Sequence, residues 1–156
     1  MKRTILIISV LILVVLIIIQ FFQPEKNTGE ITSDHFINQD GIPSDIKTML
    51  QSSCFDCHSN NTTYLWFDKI APASWLVSDH IKEGKHHLNF SDWGNTDTLD
   101  LISNLSDISD EVKNKSMPLS SYSFLHRKAR LTQEQRNTIV AWSEAYANDL
   151  LKEMKK

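Results

Sequence analysis

The sequence predicts an all-α domain preceded by an N-terminal transmembrane helix. Three observations carry that expectation. One apolar run of membrane-spanning length opens the chain, apolar residues recur at three- and four-residue steps over much of the rest, and no segment alternates convincingly with period two. The run from Ile5 to Phe22 has 18 residues, with only Ser9 and Gln20 polar. At about 1.5 Å per residue a helix there covers roughly 27 Å of hydrocarbon. A cleavable signal peptide is the competing reading, but Phe21-Phe22-Gln23-Pro24 stands where small residues would mark a cleavage site. Lys2 and Arg3 precede the run, so the positive-inside bias keeps the N-terminus cytoplasmic and sends the remainder across the membrane.

Residues 1–22 are therefore expected to form the anchor, 23–42 a polar linker, and 43–156 the working domain. The linker, "QPEKNTGEITSDHFINQDGI", has scattered Gly and no sustained apolar period, which reads as a tether giving reach. Pro43-Ser44-Asp45 marks a helix start, and Ile46, Met49, Leu50 and Cys54 fall near one face of that helix, which is expected to carry both cysteines. A second helix is expected from about Pro72, whose fixed φ suits a first turn, to a stop near Gly84. The third follows "NTD" at 95–97 and carries Leu99, Ile102, Leu105, Ile108 and Val112. The fourth opens with Thr132 and Gln135 at capping-box spacing and sets Ile139, Trp142, Tyr146 and Leu150 on one stripe. Between them, 59–71 and 115–131 do not read as regular helix. Connections that long in a small domain usually wrap something.

Charge excludes one class of partner. The chain has 16 Lys and Arg, two of them ahead of the apolar run, against 19 Asp and Glu, so the exported part carries a formal charge of −5. There is no basic field for nucleic acid.

The chemistry concentrates in "SSCFDCHSN", residues 52–60, which holds both cysteines of the chain. Cys-x-x-Cys-His is the attachment signature of c-type haem. Residues three apart share the face of a helical turn, so Cys54 and Cys57 can each form a thioether to one vinyl group, and His58 is held beneath the iron as proximal ligand. Rival readings are weaker. A thioredoxin-like pair belongs beside a βαβ pattern, which is missing. A zinc site recruiting His80 and His86 needs a gap of 22 residues from Cys57 to His80, longer than the usual interval of about 12 to 15. A structural disulfide leaves the adjacent imidazole unexplained. For the sixth position Met117 emerges by elimination. Met1 lies across the membrane, Met49 is too near the attachment turn, and Met154 sits in the charged tail, whereas Met117 precedes Pro118 in an irregular connection that presents a thioether rigidly. His80, His86, His87 and His126 are the alternatives, and any of them implies a lower-potential haem.

The chain resembles the bacterial haem-binding domain family of membrane-anchored, single-haem c-type cytochromes. The matching blocks are "CFDCHSNNTTYLWFDKIAPASWLVSDHIKEGKHHLNFSDW" from Cys54 and "MPLSSYSFLHRKARLTQEQRNTIVAWSE" from Met117. Two departures are Leu65, where a proline is expected between the aromatics, and Lys85, where arginine is common. The resemblance implies a small c-type cytochrome-like helical domain wrapped around one covalent haem c, with Cys54 and Cys57 as attachment sites and His58 and Met117 as iron ligands. The leading function is one-electron transfer with redox partner proteins of the bacterial envelope, the positive-inside bias placing the domain periplasmic to the inner membrane. Porphyrin faces need apolar contact, for which Trp66, Phe67, Trp75, Trp93, Tyr122 and Trp142 are candidates. In small cytochromes a proline carbonyl about where Pro72 stands accepts the Nδ1 proton of the proximal imidazole. Lys85, His86, His87, Arg127 and Arg130 are candidates for the propionates. A peroxidase-like enzyme or a gas sensor with a labile sixth ligand is the competing function.

Overall fold

The computed structural model describes residues 1–155 and is all-helical among them, the lone β-type contact being an isolated bridge between Thr28 and Asn61. The first helix, α1 (Lys2–Ile18), continues through a 3-10 turn at Ile19–Phe21. Together they make one helix long and apolar enough to cross a membrane, with its side chains exposed from Lys2 to Ile18.

Helix α2 (Ser44–Ser53) starts after Pro43 and buries Ile46, Met49 and Leu50, the apolar face its spacing predicts. It ends at Ser53, short of the two cysteines it is expected to carry. Cys54 leaves helical geometry at φ −125° and ψ −36°, and a separate single turn, α3 (Phe55–His58), follows. Helix α4 (Ala73–His87) begins at Pro72 as the sequence predicts but runs through Gly84. That glycine is no stop signal. A Cβ on it would lie 2.6 Å from the Cys57 carbonyl oxygen, so its missing side chain is what lets α4 press against α3.

Helix α5 (Thr98–Lys113) is capped by the Asp97 carboxylate, which accepts the Leu99 N–H at 2.9 Å. A short helix, α6 (Ser120–Leu125), interrupts the connection expected to be irregular. Helix α7 (Gln133–Glu153) opens with the expected capping box, Thr132 and Gln135 exchanging side-chain and backbone bonds at 3.1 and 2.8 Å. The α5–α7 pair is the most extensive helix contact. Leu105, Ile108 and Val112 of α5 and Ile139 of α7 are buried in one core, against which Trp142, Tyr146 and Leu150 pack.

The expectation of a free tether over 23–42 is corrected by the packing. Asn27 donates through Nδ2 to the Ser59 carbonyl and Thr62 Oγ1, Gly29 N donates to the Asn60 carbonyl at 2.6 Å, and Gly94 N donates to the Asp34 carbonyl at 2.8 Å. Phe36 is wholly buried and meets Phe55, Phe90, Trp93 and Trp142 edge-on, with ring centroids 4.9 to 6.1 Å apart. Burying that ring contributes about 1.5–3 kcal/mol, with edge-to-face geometry adding to it. A single phenylalanine among polar residues has no period to betray it, yet it centres the aromatic core.

Candidate functional site

The turn carrying the two cysteines is held by its own backbone. Cys54 O accepts from Cys57 N at 3.2 Å and from His58 N at 2.9 Å, so both thiols and the imidazole are gathered within one turn. The Asp56 side chain between them takes two donors, Thr63 N–H at 2.9 Å and the Tyr122 hydroxyl at 2.6 Å, while its carbonyl accepts from Thr62 Oγ1. Tyr122 lies on α6, so this pair ties the cysteine turn to the segment that follows Met117. Burial, and secondly the Asp56 bond, push the Tyr122 phenol up, keeping it a donor.

Cys54, Cys57, His58 and Met117 line one cavity of about 500 Å³, a size within the roughly 300–1,000 Å³ of small-molecule and cofactor sites. Phe90, Ile108, Val112 and Leu119 give it apolar walls, and His80, Glu83, His87, Asp107 and Glu111 supply its polar groups. Both cysteines are free thiols. Burial raises Cys54 to about 12, with the neighbouring Cys57 adding to it. Burial also raises Cys57 to about 11, with Asp56 and Asp68 adding to it. These are neutral thiols at pH 7, the opposite of the acidic thiol a redox-exchange pair needs. Among the described residues no three His, Cys, Asp or Glu side chains are grouped so as to hold a metal ion.

His58 Nδ1 lies 3.1 Å from the Leu88 carbonyl oxygen. A carbonyl only accepts, so Nδ1 carries the proton and Nε2 keeps its lone pair for a metal. Burial, the largest effect on this ring, holds His58 below the ordinary imidazole range and reinforces the neutral form. The Pro72 expectation is thereby corrected: its carbonyl accepts from Trp75 N and Leu76 N in the first turn of α4, and the orienting acceptor comes instead from Leu88, just past the far end of that helix.

Met117 is presented by a reversal after α5. Lys115 takes a left-handed φ of 61°, and the chain doubles back so that Met117 N donates to the Glu111 carbonyl at 3.1 Å. Arg136 of α7 closes the loop, its Nη1 donating to Met117 O at 2.8 Å and Val112 O at 3.1 Å. Sequence reasoning missed Arg136, Asp56 and Leu88, because a guanidinium bonding backbone carbonyls and a carbonyl bonding an imidazole leave no motif.

Of the six aromatics nominated for porphyrin contact only Tyr122 lines the cavity. Trp93 and Trp142 pack in or against the core, Trp66 is 74% exposed, and Phe90, which was not nominated, forms a wall. Of the propionate candidates only His87 is at the cavity. Lys85 donates to Asn27 Oδ1 at 2.8 Å, and Arg130 donates to the Ser123 and Phe124 carbonyls. The donor set nevertheless suits a haem: an imidazole with its free nitrogen defined, a thioether and apolar walls meet in one space, with two thiols at its edge.

The comparison with known families agrees with that geometry. The family model described as "Haem-binding domain" matches residues 14–145, most of the chain. No curated protein and no solved structure matches it. The match takes in both the 23–42 segment that packs into the core and every residue of the cavity, and on that extent the chain belongs to the haem-binding domain family.

Proposed function

We propose that this haem protein is a monohaem c-type cytochrome that carries single electrons in the bacterial envelope, held at the inner membrane by an uncleaved α1 with its domain in the periplasm. One observation carries the reading: both thiols of the Cys-x-x-Cys-His turn, its imidazole and Met117 line a single cavity although 58 residues of chain separate His58 from Met117. Cys54 and Cys57 would hold the haem through thioethers to its vinyl groups, and His58 Nε2 and Met117 Sδ would be the residues that ligate its iron. When bound, the haem supplies a reversible one-electron couple. The protein's part is to fix both ligands before the electron arrives. Leu88 O sets the His58 ring, and Arg136 and Glu111 O hold the Met117 backbone from two sides. Rigid ligation favours electron transfer over an open iron position, and methionine in place of histidine raises the potential. Partners are redox proteins of the envelope, met through short-lived contacts.

The test is a pyridine haemochrome spectrum, with acid-organic extraction, on protein matured by the c-type machinery. Covalent haem stays with the protein and shows the thioether spectrum; pigment passing into the organic phase refutes the attachment. Met117→Ala should turn the ferric protein high-spin and abolish its methionine-to-iron charge-transfer band. A variant that stays low-spin assigns the sixth position to a histidine, and His80 and His87 are the two at the cavity.

A further inference from the structure

The outer end of the membrane-spanning helix does not lead into free chain; it is bonded to the domain. Gln20 is one of the two polar residues in the apolar run, and its carboxamide makes a reciprocal pair with one residue of the domain. Nε2 donates to Ala71 O at 3.0 Å and Oε1 accepts from Ala71 N at 3.0 Å. Two residues on, the Phe22 carbonyl accepts from the indole Nε1 of Trp75 at 2.6 Å. If α1 spans the bilayer, Gln20 sits where hydrocarbon gives way to headgroups, because Ile5 to Gln20 covers roughly 24 Å of rise. Ala71 is then held at that same depth.

The groups around Ala71 match that depth. Trp66, Ile70, Trp75 and Leu76 are all exposed, Trp66 by 74% and Leu76 by 59%, and Phe21 and Phe22 are exposed on the helix end itself. Large apolar side chains left bare on one segment call for a partner. Tryptophan is the residue that settles at the membrane–water boundary, its ring body among acyl chains and its N–H satisfied. Here one indole N–H is already satisfied by the Phe22 carbonyl. Asp68, the acidic residue of this segment, is turned inward, buried and accepting from Leu65 N at 2.8 Å, while Lys69 lies beside it on a side chain able to reach past lipid to headgroup phosphates.

We propose that residues 66–76 form a foot that rests in the outer boundary of the same bilayer α1 crosses, so that the domain is seated on the membrane rather than swinging from it. The proposal rests on the uncleaved-anchor reading given above. Its consequence is a fixed stance. Trp75 and Leu76 in the first turn of α4 belong to the foot, and His87 in its last turn lines the cavity, about 16 Å further along the helix axis. One rigid helix therefore sets the cofactor site at a defined distance from the lipid surface, within reach of redox partners embedded in the same membrane.

Full-length, haem-loaded protein carrying a photoreactive benzoyl-phenylalanine at Trp66, at Leu76 or at Leu99 is reconstituted in phosphatidylethanolamine–phosphatidylglycerol vesicles, illuminated and analysed by intact mass. Leu99 is an exposed control on α5, a helix that packs on α7. The expected result is lipid adducts at positions 66 and 76 and none above background at 99. An intact N-terminus with no excess of adduct at 66 and 76 over 99 overturns the foot and leaves the anchor standing. A mass lacking residues 1–22 overturns the anchor and the foot together, and the two failures are told apart in the same spectrum.

Discussion

Gly84→Ala tests the packing of the cysteine turn, because two opposing effects act on one methyl group. Alanine in a helix interior is favoured over glycine by about 1 kcal/mol, so α4 considered alone gains stability. The added Cβ would stand 2.6 Å from the Cys57 carbonyl oxygen, 3.1 Å from its carbon and 3.2 Å from the Cys57 Cβ, and two of those three atoms are backbone that cannot swing aside. Restoring an ordinary contact of about 3.5 Å requires α4 to retreat by roughly 0.9 Å. The retreat would stretch the 3.1 Å contact between His58 Nδ1 and Leu88 O to about 4 Å, beyond hydrogen-bond range. Overpacking costs about 1–3 kcal/mol, and the lost buried bond roughly 0.5–1.5 more. The net expectation is a destabilisation of about 1–3 kcal/mol. With a urea dependence of roughly 2 kcal/mol per molar, the unfolding midpoint falls by about 0.5–1.5 M. The readout is urea unfolding of the detergent-solubilised chain by circular dichroism, wild type beside variant. A midpoint equal to or above that of the wild type refutes the close approach, since propensity alone predicts a rise.

Three other perturbations follow from the same contacts. Arg136→Gln removes a charged donor from Met117 O and Val112 O, a loss of roughly 1.5–3 kcal/mol; the methionine-to-iron band should disappear at a lower temperature than in the wild type while covalent haem content is unchanged. Tyr122→Phe deprives the Asp56 carboxylate of its 2.6 Å donor and is expected to lower urea stability by about 1–3 kcal/mol, with Asp56→Asn in the same background costing little more because the pair is already broken. His35 is buried, its Nδ1 accepts the Ile37 N–H at 3.2 Å, and burial holds it below 6.5 in the folded state. The unfolded chain therefore takes up a proton near 6.5 that the folded chain refuses, so its contribution is intact above pH 6.5 and is lost as pH falls below that value. His35→Asn, which keeps an acceptor and cannot titrate, should show a shallower fall in urea midpoint between pH 7 and 5, and an identical slope would exclude His35 as the source.

How far the sequence disclosed this protein depended on the distance over which each feature is written. The apolar face of α2, the later turns of the α5 face, the capping box of α7 and the apolar span of α1 are local patterns that stand where their spacing puts them, whereas Leu99, on the expected α5 face, is 61% exposed. The cysteine turn is more local still, five residues whose chemistry has few alternatives. Features made by a single residue meeting a distant one were not legible. Phe36 has no periodic partners within its own segment, so a stretch that composition marks as polar linker hides the centre of the aromatic core. Gly84 illustrates the converse, since a glycine near a helix end is ordinarily a stop, and only the Cys57 carbonyl across the contact shows that it serves close approach. Leu88 replaced Pro72 as the expected acceptor because any backbone carbonyl serves the imidazole equally well, and side-chain identity carries no record of which one does.

That asymmetry bears on how such a site holds together. The cysteine turn alone would fix His58 only as well as a four-residue helix fixes anything, and an isolated turn of that length is unstable in water. Its order is borrowed from long-range contacts: α4 pressed on it at Gly84, the Asn27–Thr62 and Gly29–Asn60 bonds from the segment behind α1, and the Tyr122–Asp56 bridge from α6. All of those supports come from sequence that lies outside the five-residue signature and 25 or more residues away from it. A chain with the same five-residue signature and without them would still offer two thiols and an imidazole, but not an imidazole whose Nδ1 is held by Leu88 O in a cavity whose far wall, at Met117, is tied down by Arg136. The motif specifies the chemistry, and the packing of the segment that resembled a linker specifies the geometry in which that chemistry is performed.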